Sequence, residues 1–94
     1  MGISGDAFKE TRALAVEAEE VAQRGLEAAR GRYEADRQVC AAAAQYLGLT
    51  PAIMDVLVAS GRDLAVAEAR FGSAVESREA LDKLIKELDD PLQG

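Results

Sequence analysis

Tyr46-Leu47-Gly48-Leu49-Thr50-Pro51 is the one strong interruption in a chain that otherwise carries helix-forming residues almost throughout. Gly48 suits the left-handed backbone position just past a helix end, where the missing Cβ removes a steric penalty. Thr50 is a good N-cap, because its hydroxyl can accept from the N–H groups left open at a helix start. Pro51 then falls at the first helical position, where its absent N–H costs nothing. Leu49 and Met54 have the spacing of a hydrophobic staple across that start. These choices agree on one event: a helix stops, the chain reverses and a second helix begins. A connection this short makes the two helices antiparallel neighbours.

Working outward, the first helix is expected from about residue 5 to 47, capped by Ser4 or Asp6, and the second from 51 to about 89, ended by Pro91. One apolar or small stripe of the first helix steps by four and three: Leu14, Ala18, Val21, Gly25, Ala28, Arg32, Ala35, Val39, Ala42 and Tyr46. That spacing is a heptad seam. A second stripe lies beside it, made of Phe8, Ala15, Ala22, Leu26, Ala29, Tyr33, Cys40, Ala43 and Leu47. The second helix has one seam, Ile53, Leu57, Ser60, Leu64, Ala67, Phe71, Ala74, Arg78, Leu81, Ile85 and Leu88, with Val56, Val58, Val66, Val75 and Leu84 off it. Glu20–Arg24, Glu79–Lys83 and Asp82–Lys86 have the spacing that supports an exposed helix face.

One neighbouring helix needs one seam, so two adjoining seams imply more than one neighbour. Each helix would be roughly 60 Å long at 1.5 Å per residue, and no third helix exists to cover such a rod. The expected fold class is therefore all-α, an antiparallel two-helix hairpin within one domain spanning residues 1–94, pairing with a second copy as a four-helix bundle dimer. A hetero-oligomer with a similar hairpin is the competing arrangement. Folding about residue 49 sets Gly25 opposite Phe71 and Gly72, which makes Gly25 either a recess for Phe71 or, with Gly31, Gly61 and Gly72, a hinge. Arg78 interrupts an apolar seam and falls opposite Glu20, with Glu17 a turn away; Arg32 and Asp36 fall on or beside the first helix's seams. Such groups either fix register at some cost in stability or extend to solvent.

Composition narrows the function by exclusion. The net charge is −6, with 11 basic and 17 acidic residues, and neither half of the chain is basic. A nucleic-acid backbone or an anionic membrane surface is thus a poor partner. The hydrophobic residues are dominated by alanine, and Phe8, Tyr33, Tyr46 and Phe71 are the only aromatics. An alanine core is small in area and stabilises less per residue than one of leucine and phenylalanine. Cys40 is the only cysteine, which excludes an intrachain disulfide and fits a reducing compartment. The first ten residues have neither the basic start nor the apolar run of a secretory signal, and no stretch approaches the ~20 apolar residues that span a bilayer. The cytoplasm is the expected location. The absence of asparagine, the eight arginines against three lysines and the alanine load suit a GC-rich coding genome, bacterial or phage.

The chain has no histidine, which removes the usual general base, proton shuttle and metal ligand near neutral pH. A Ser-His-Asp or Cys-His arrangement is impossible, as is the Glu-x-x-His of a di-metal helical bundle. One cysteine builds neither a zinc nor an iron–sulfur site, and no glycine-rich phosphate loop is present. Glu17, Glu19 and Glu20, and the Glu87-Leu88-Asp89-Asp90 run, lack the spacing of a calcium loop and read as solvated faces. No enzymatic activity and no cofactor are expected.

The expectation is a non-enzymatic protein–protein interaction module, an adaptor, an inhibitor or a host-directed phage or bacterial factor, which self-associates and presents a helix face to a second protein. Leu26, Tyr33 and Cys40 on the first helix, and Val56, Leu64, Val66, Phe71, Val75 and Arg78 on the second, are the candidate contact residues, for a dimer core or for a partner. Tyr46-Leu47-Gly48 resembles the central Trp-x-Gly of the small secreted hairpins of type VII secretion systems, which are about this long. That resemblance implies a secreted or chaperoned hairpin that pairs with a related one. The chain departs from the pattern in having tyrosine for tryptophan and in lacking a Tyr-x-x-x-Asp/Glu after the second helix. A helix-ending glycine after a seam tyrosine accounts for the motif by itself, so the chain is not assigned to that family. The hairpin also resembles plasmid-type helical-hairpin dimers that bind RNA, in architecture only, because the basic face they need is missing. A structural component of a larger assembly is the remaining alternative.

Overall fold

The structure, a computed structural model, describes residues 5–89. A 3-10 turn, Gly5–Phe8, leads into helix α1, Lys9–Leu47, and helix α2 follows as Pro51–Asp89. Both helices are 39 residues long and lie antiparallel, in a rod of 71 × 16 × 16 Å. The radius of gyration is 20.9 Å, against about 12 Å for a compact domain of this length. Two long helices and no strand make up the described residues, as the sequence pattern predicts. Ser4 and Pro91, an expected cap of α1 and the expected stop of α2, lie outside the described residues. The other expected cap, Asp6, falls within the 3-10 turn, and α1 starts after Phe8 with no side-chain cap.

The reversal is built as its residues dictate. Gly48 has φ 73° and ψ 179°, and its N–H donates to the Ala44 carbonyl at 2.8 Å, closing α1. That combination of angles is open essentially to glycine alone. Thr50 caps α2: its Oγ1 accepts from the Ile53 N–H at 3.3 Å while its carbonyl accepts from Met54 at 3.1 Å. The staple does not close. Leu49 and Met54 are 72% and 53% exposed, so the turn rests on backbone geometry and the threonine hydroxyl.

The α2 seam faces α1 as its spacing predicts. Ile53 and Ser60 are buried, and Leu57, Leu64, Ala67, Phe71, Ala74, Arg78, Leu81 and Ile85 are half-buried; Leu88 at the open end is exposed. On α1 the two stripes have distinct fates. The stripe that packs against α2 is the second, with Leu26 and Cys40 buried and Phe8, Ala15, Ala22, Ala29, Tyr33 and Ala43 half-buried; Leu47 of that stripe is exposed at the turn. Every residue of the first stripe, from Leu14 to Tyr46, is exposed. The hairpin hides one edge of α1 and leaves the other bare.

Register follows the polar contacts. Ser60 Oγ donates to Asp36, Arg78 donates to Glu19, and Arg12 donates to Asp82. Arg78 thus meets Glu19 where folding about residue 49 placed Glu20, and it pairs across the seam instead of reaching to solvent. Gly25 lies on the exposed stripe of α1, not on the stripe that packs against the α2 seam containing Phe71. A Cβ at Gly25 would meet nothing within 4 Å, so Gly25 is no recess, and α1 runs unbroken through Gly25 and Gly31, so neither is a break in the helix. Close approach occurs at Gly61, where a Cβ would sit 3.8 Å from Tyr33 Cε2, an ordinary contact. None of the three supportive pairs on the outer faces closes. Long exposed side chains gain little from pairing in water, and Asp82 turns inward to two arginines instead.

Gly48→Ala should lower stability by about 1–3 kcal/mol, the cost of holding a side chain in that backbone region. Gly72→Ala, whose Cβ would enter open space, should raise it by about 1 kcal/mol through helix propensity. Urea unfolding followed by circular dichroism measures both; an unchanged midpoint for Gly48→Ala would refute the account of the turn.

Candidate interaction surface

Few side chains are removed from water in this rod. Leu26, Cys40 and Ile53 are the only buried apolar residues among those described, at 5%, 6% and 9% exposure, and none is fully enclosed. Alanine supplies most of the remaining contact, which follows from the composition: it lets the helices approach but hides little area. Cys40 is a free thiol whose Sγ lies 3.8 Å from the Ile53 carbonyl, a weak S–H donor inside the hairpin.

The surface is correspondingly apolar. Leu14, Val21, Val39 and Tyr46 of α1, and Met54, Val56, Val58 and Val66 of α2, are among the exposed large hydrophobic residues. An open groove of about 790 Å³ runs between the bare edge of α1 and one flank of α2. Leu14, Ala18, Val21 and Gly25 form one wall, Val66 and Ala67 the other, and Ala22 and Ala29 line it as well. A second, shallower depression shares Ala18, Ala22, Val66 and Arg70 and extends the groove toward Ser73 and Ala74. The groove exists because the side chains along it are small and fill little of the space beside the two helices.

The candidate residues from the sequence divide into two sets. Leu26, Tyr33, Cys40, Leu64 and Phe71 lie along the seam between α1 and α2, which the hairpin itself covers wholly or in part. Val56 and Val66 are 46% and 44% exposed, and Val75 is half-buried at the seam's edge. The groove residues Leu14, Val21 and Gly25 are absent from the candidate set. Their stripe was visible in the spacing, but spacing alone does not say which of two adjoining stripes faces the partner helix.

Charge is organised at the open end of the rod. Arg78 is held by Glu19, by Asp82 at 3.0 Å and by Glu79 at 3.9 Å, and Asp82 also accepts from Arg12. The carboxylates beside Arg78 raise its pKa further above the ordinary guanidinium value. The Arg12 and Arg78 guanidinia hold the Asp82 carboxyl below the ordinary value of 3.8, against a smaller opposing effect of desolvation. Among the described residues no group of three or more His, Cys, Asp or Glu side chains could hold a metal ion. No helix of the described residues is long and apolar enough to cross a membrane. No protein-family model, curated protein or solved structure matches the chain.

The Asp82 pKa is lower in the folded chain than in the unfolded one, so its contribution to stability is present above pH 3.8 and is lost as pH falls through the depressed value. Asp82→Asn should therefore be less stable than the parent at pH 7, and the difference should shrink as the pH drops below 3.8. Parallel thermal melts across that range measure it. A difference independent of pH would show that the carboxylate charge is not what matters.

Proposed function

We propose that this chain is a non-enzymatic protein–protein interaction module, acting through the outer face of its helical hairpin. The observation that carries the reading is the bare α1 edge: Leu14, Val21, Val39 and Tyr46 are 63%, 55%, 67% and 89% exposed, and the first two of them wall a groove lined largely by alanine, glycine and valine. Contiguous apolar surface of this kind marks a site where another protein completes the core. The expected mode is a helix laid along the groove, or a helix pair completing a bundle.

Chemistry points the same way. The chain offers no histidine, and its one thiol is buried. Among the described residues its carboxylates lie mostly on exposed positions, with Glu19 and Asp82 in ion pairs with arginine and Asp36 accepting from Ser60. The single unoxidised cysteine and the acidic surface support a cytoplasmic module whose partners are proteins, since a surface of net charge −6 repels nucleic acid and anionic lipid. The composition supports a bacterial or phage origin.

Photocrosslinking in the native host tests the reading. A benzophenone amino acid at position 39, on the bare α1 edge, should give discrete protein adducts. The same group at position 68, exposed on α2 outside the groove lining, should give none. Equal labelling at the two positions, or no adduct at either, would refute it.

A further inference from the structure

We infer that the occupant of the groove is a second copy of this chain, laid antiparallel with α1 against α1 and a two-fold axis crossing at the level of Gly25. This rests on the interaction reading above and specifies its partner.

Area is the first argument. The chain exposes 7001 Å², whereas a compact monomer of 10.0 kDa exposes about 5,200 Å². The excess is greater than the ~800 Å² that each partner of a stable complex covers. A second hairpin of equal length covers such an excess along the whole rod, whereas a short peptide in the groove covers only part of it.

Charge selects the partner. The groove is bordered by Glu17, Arg32, Asp63 and Arg70, two acids and two bases, in a chain whose net charge is −6. None of the four forms an ion pair with the described residues. A strongly basic partner, which the overall charge would attract, meets Arg32 and Arg70 here. A surface carrying equal numbers of both signs complements itself, and a two-fold contact requires that: residue i meets residue j of the copy, and j meets i.

Spacing then sets the axis. Glu17 and Arg32 lie fifteen residues apart on α1, about 22 Å along the helix, and their midpoint falls beside Gly25. A two-fold axis there brings Glu17 of each copy level with Arg32 of the other, twice over. It also brings Leu14 level with Ala35, and Val21 level with Ala28, a large side chain against a small one in each case. Gly25 carries no Cβ and has no neighbour within 4 Å of where one would stand, so it permits close helix approach at the axis. The four-helix bundle so formed buries the bare α1 edges against each other.

Sedimentation equilibrium of the full chain tests this, with an expected mass of twice 10.0 kDa. Val21 is 55% exposed in the hairpin, so Val21→Glu should keep the helical circular dichroism while weakening association on the order of tenfold or more. Gly25→Leu should weaken it similarly. Glu17→Arg and Arg32→Glu should each weaken it, and the two together should restore it, which a merely structural role would not produce. A wild-type monomer overturns the inference, as does a one-to-one complex with a different hairpin in place of the self-dimer. A dimer indifferent to Val21→Glu and to the charge reversals also overturns it. In each of these outcomes, adducts at position 39 but not at position 68 leave the interaction reading standing; equal labelling or no adduct removes both.

Discussion

Two polar pairs inside an otherwise apolar seam govern how this hairpin closes. Ser60 donates to Asp36 and Arg78 donates to Glu19. On α2 the two donors are eighteen residues apart, about five helical turns, so both project to the same side. Their acceptors on α1 flank the stripe that contains Leu26 and Cys40. Turning α1 to present its other stripe would set Arg78 and Ser60 against alanine, valine and Arg32. Ser60 is buried, and leaving its hydroxyl without a partner would cost roughly 1–3 kcal/mol. In a rod with three buried apolar residues, a difference of that size decides the face, and matching both pairs at once fixes the register.

The bare surface is the consequence of that choice. Because α2 takes the edge of α1 that offers carboxylates, the edge left over is the one rich in alanine, valine and glycine. The apolar groove is therefore a by-product of polar matching, and it lies along α1 where the helix carries no hydrogen-bonding side chain of its own except at its borders. The two edges of α1 thus differ: one holds the hairpin together and the other is left exposed.

The two ends of the rod are closed by different physics. At the turn, Gly48 and Thr50 satisfy the helix ends through backbone geometry and one hydroxyl. At the open end, Arg12, Asp82, Arg78 and Glu19 form a partly exposed ion network. The turn is indifferent to pH and salt. The ionic end weakens where carboxylates protonate or where salt screens them, so fraying in acid starts there.

By itself the sequence determined the hairpin. Gly48, Thr50 and Pro51 are local signals whose conformational preferences need no tertiary contact, and the four-three spacing of the α2 seam leaves only one face to bury. The bounds of α2 and the facing residues of its seam were legible for that reason. The identity of the buried edge of α1 was not. Two stripes of similar hydrophobicity lie side by side on that helix, and hydrophobic spacing treats them alike. Only the folded chain, by aligning Ser60 and Arg78 with Asp36 and Glu19, separates the edge that is covered from the edge that is bare. That Arg78 meets Glu19, the neighbour of the Glu20 that folding about residue 49 sets opposite it, was hidden for the same reason. It depends on hydrogen-bond geometry across the seam, which no count of residues from the turn contains.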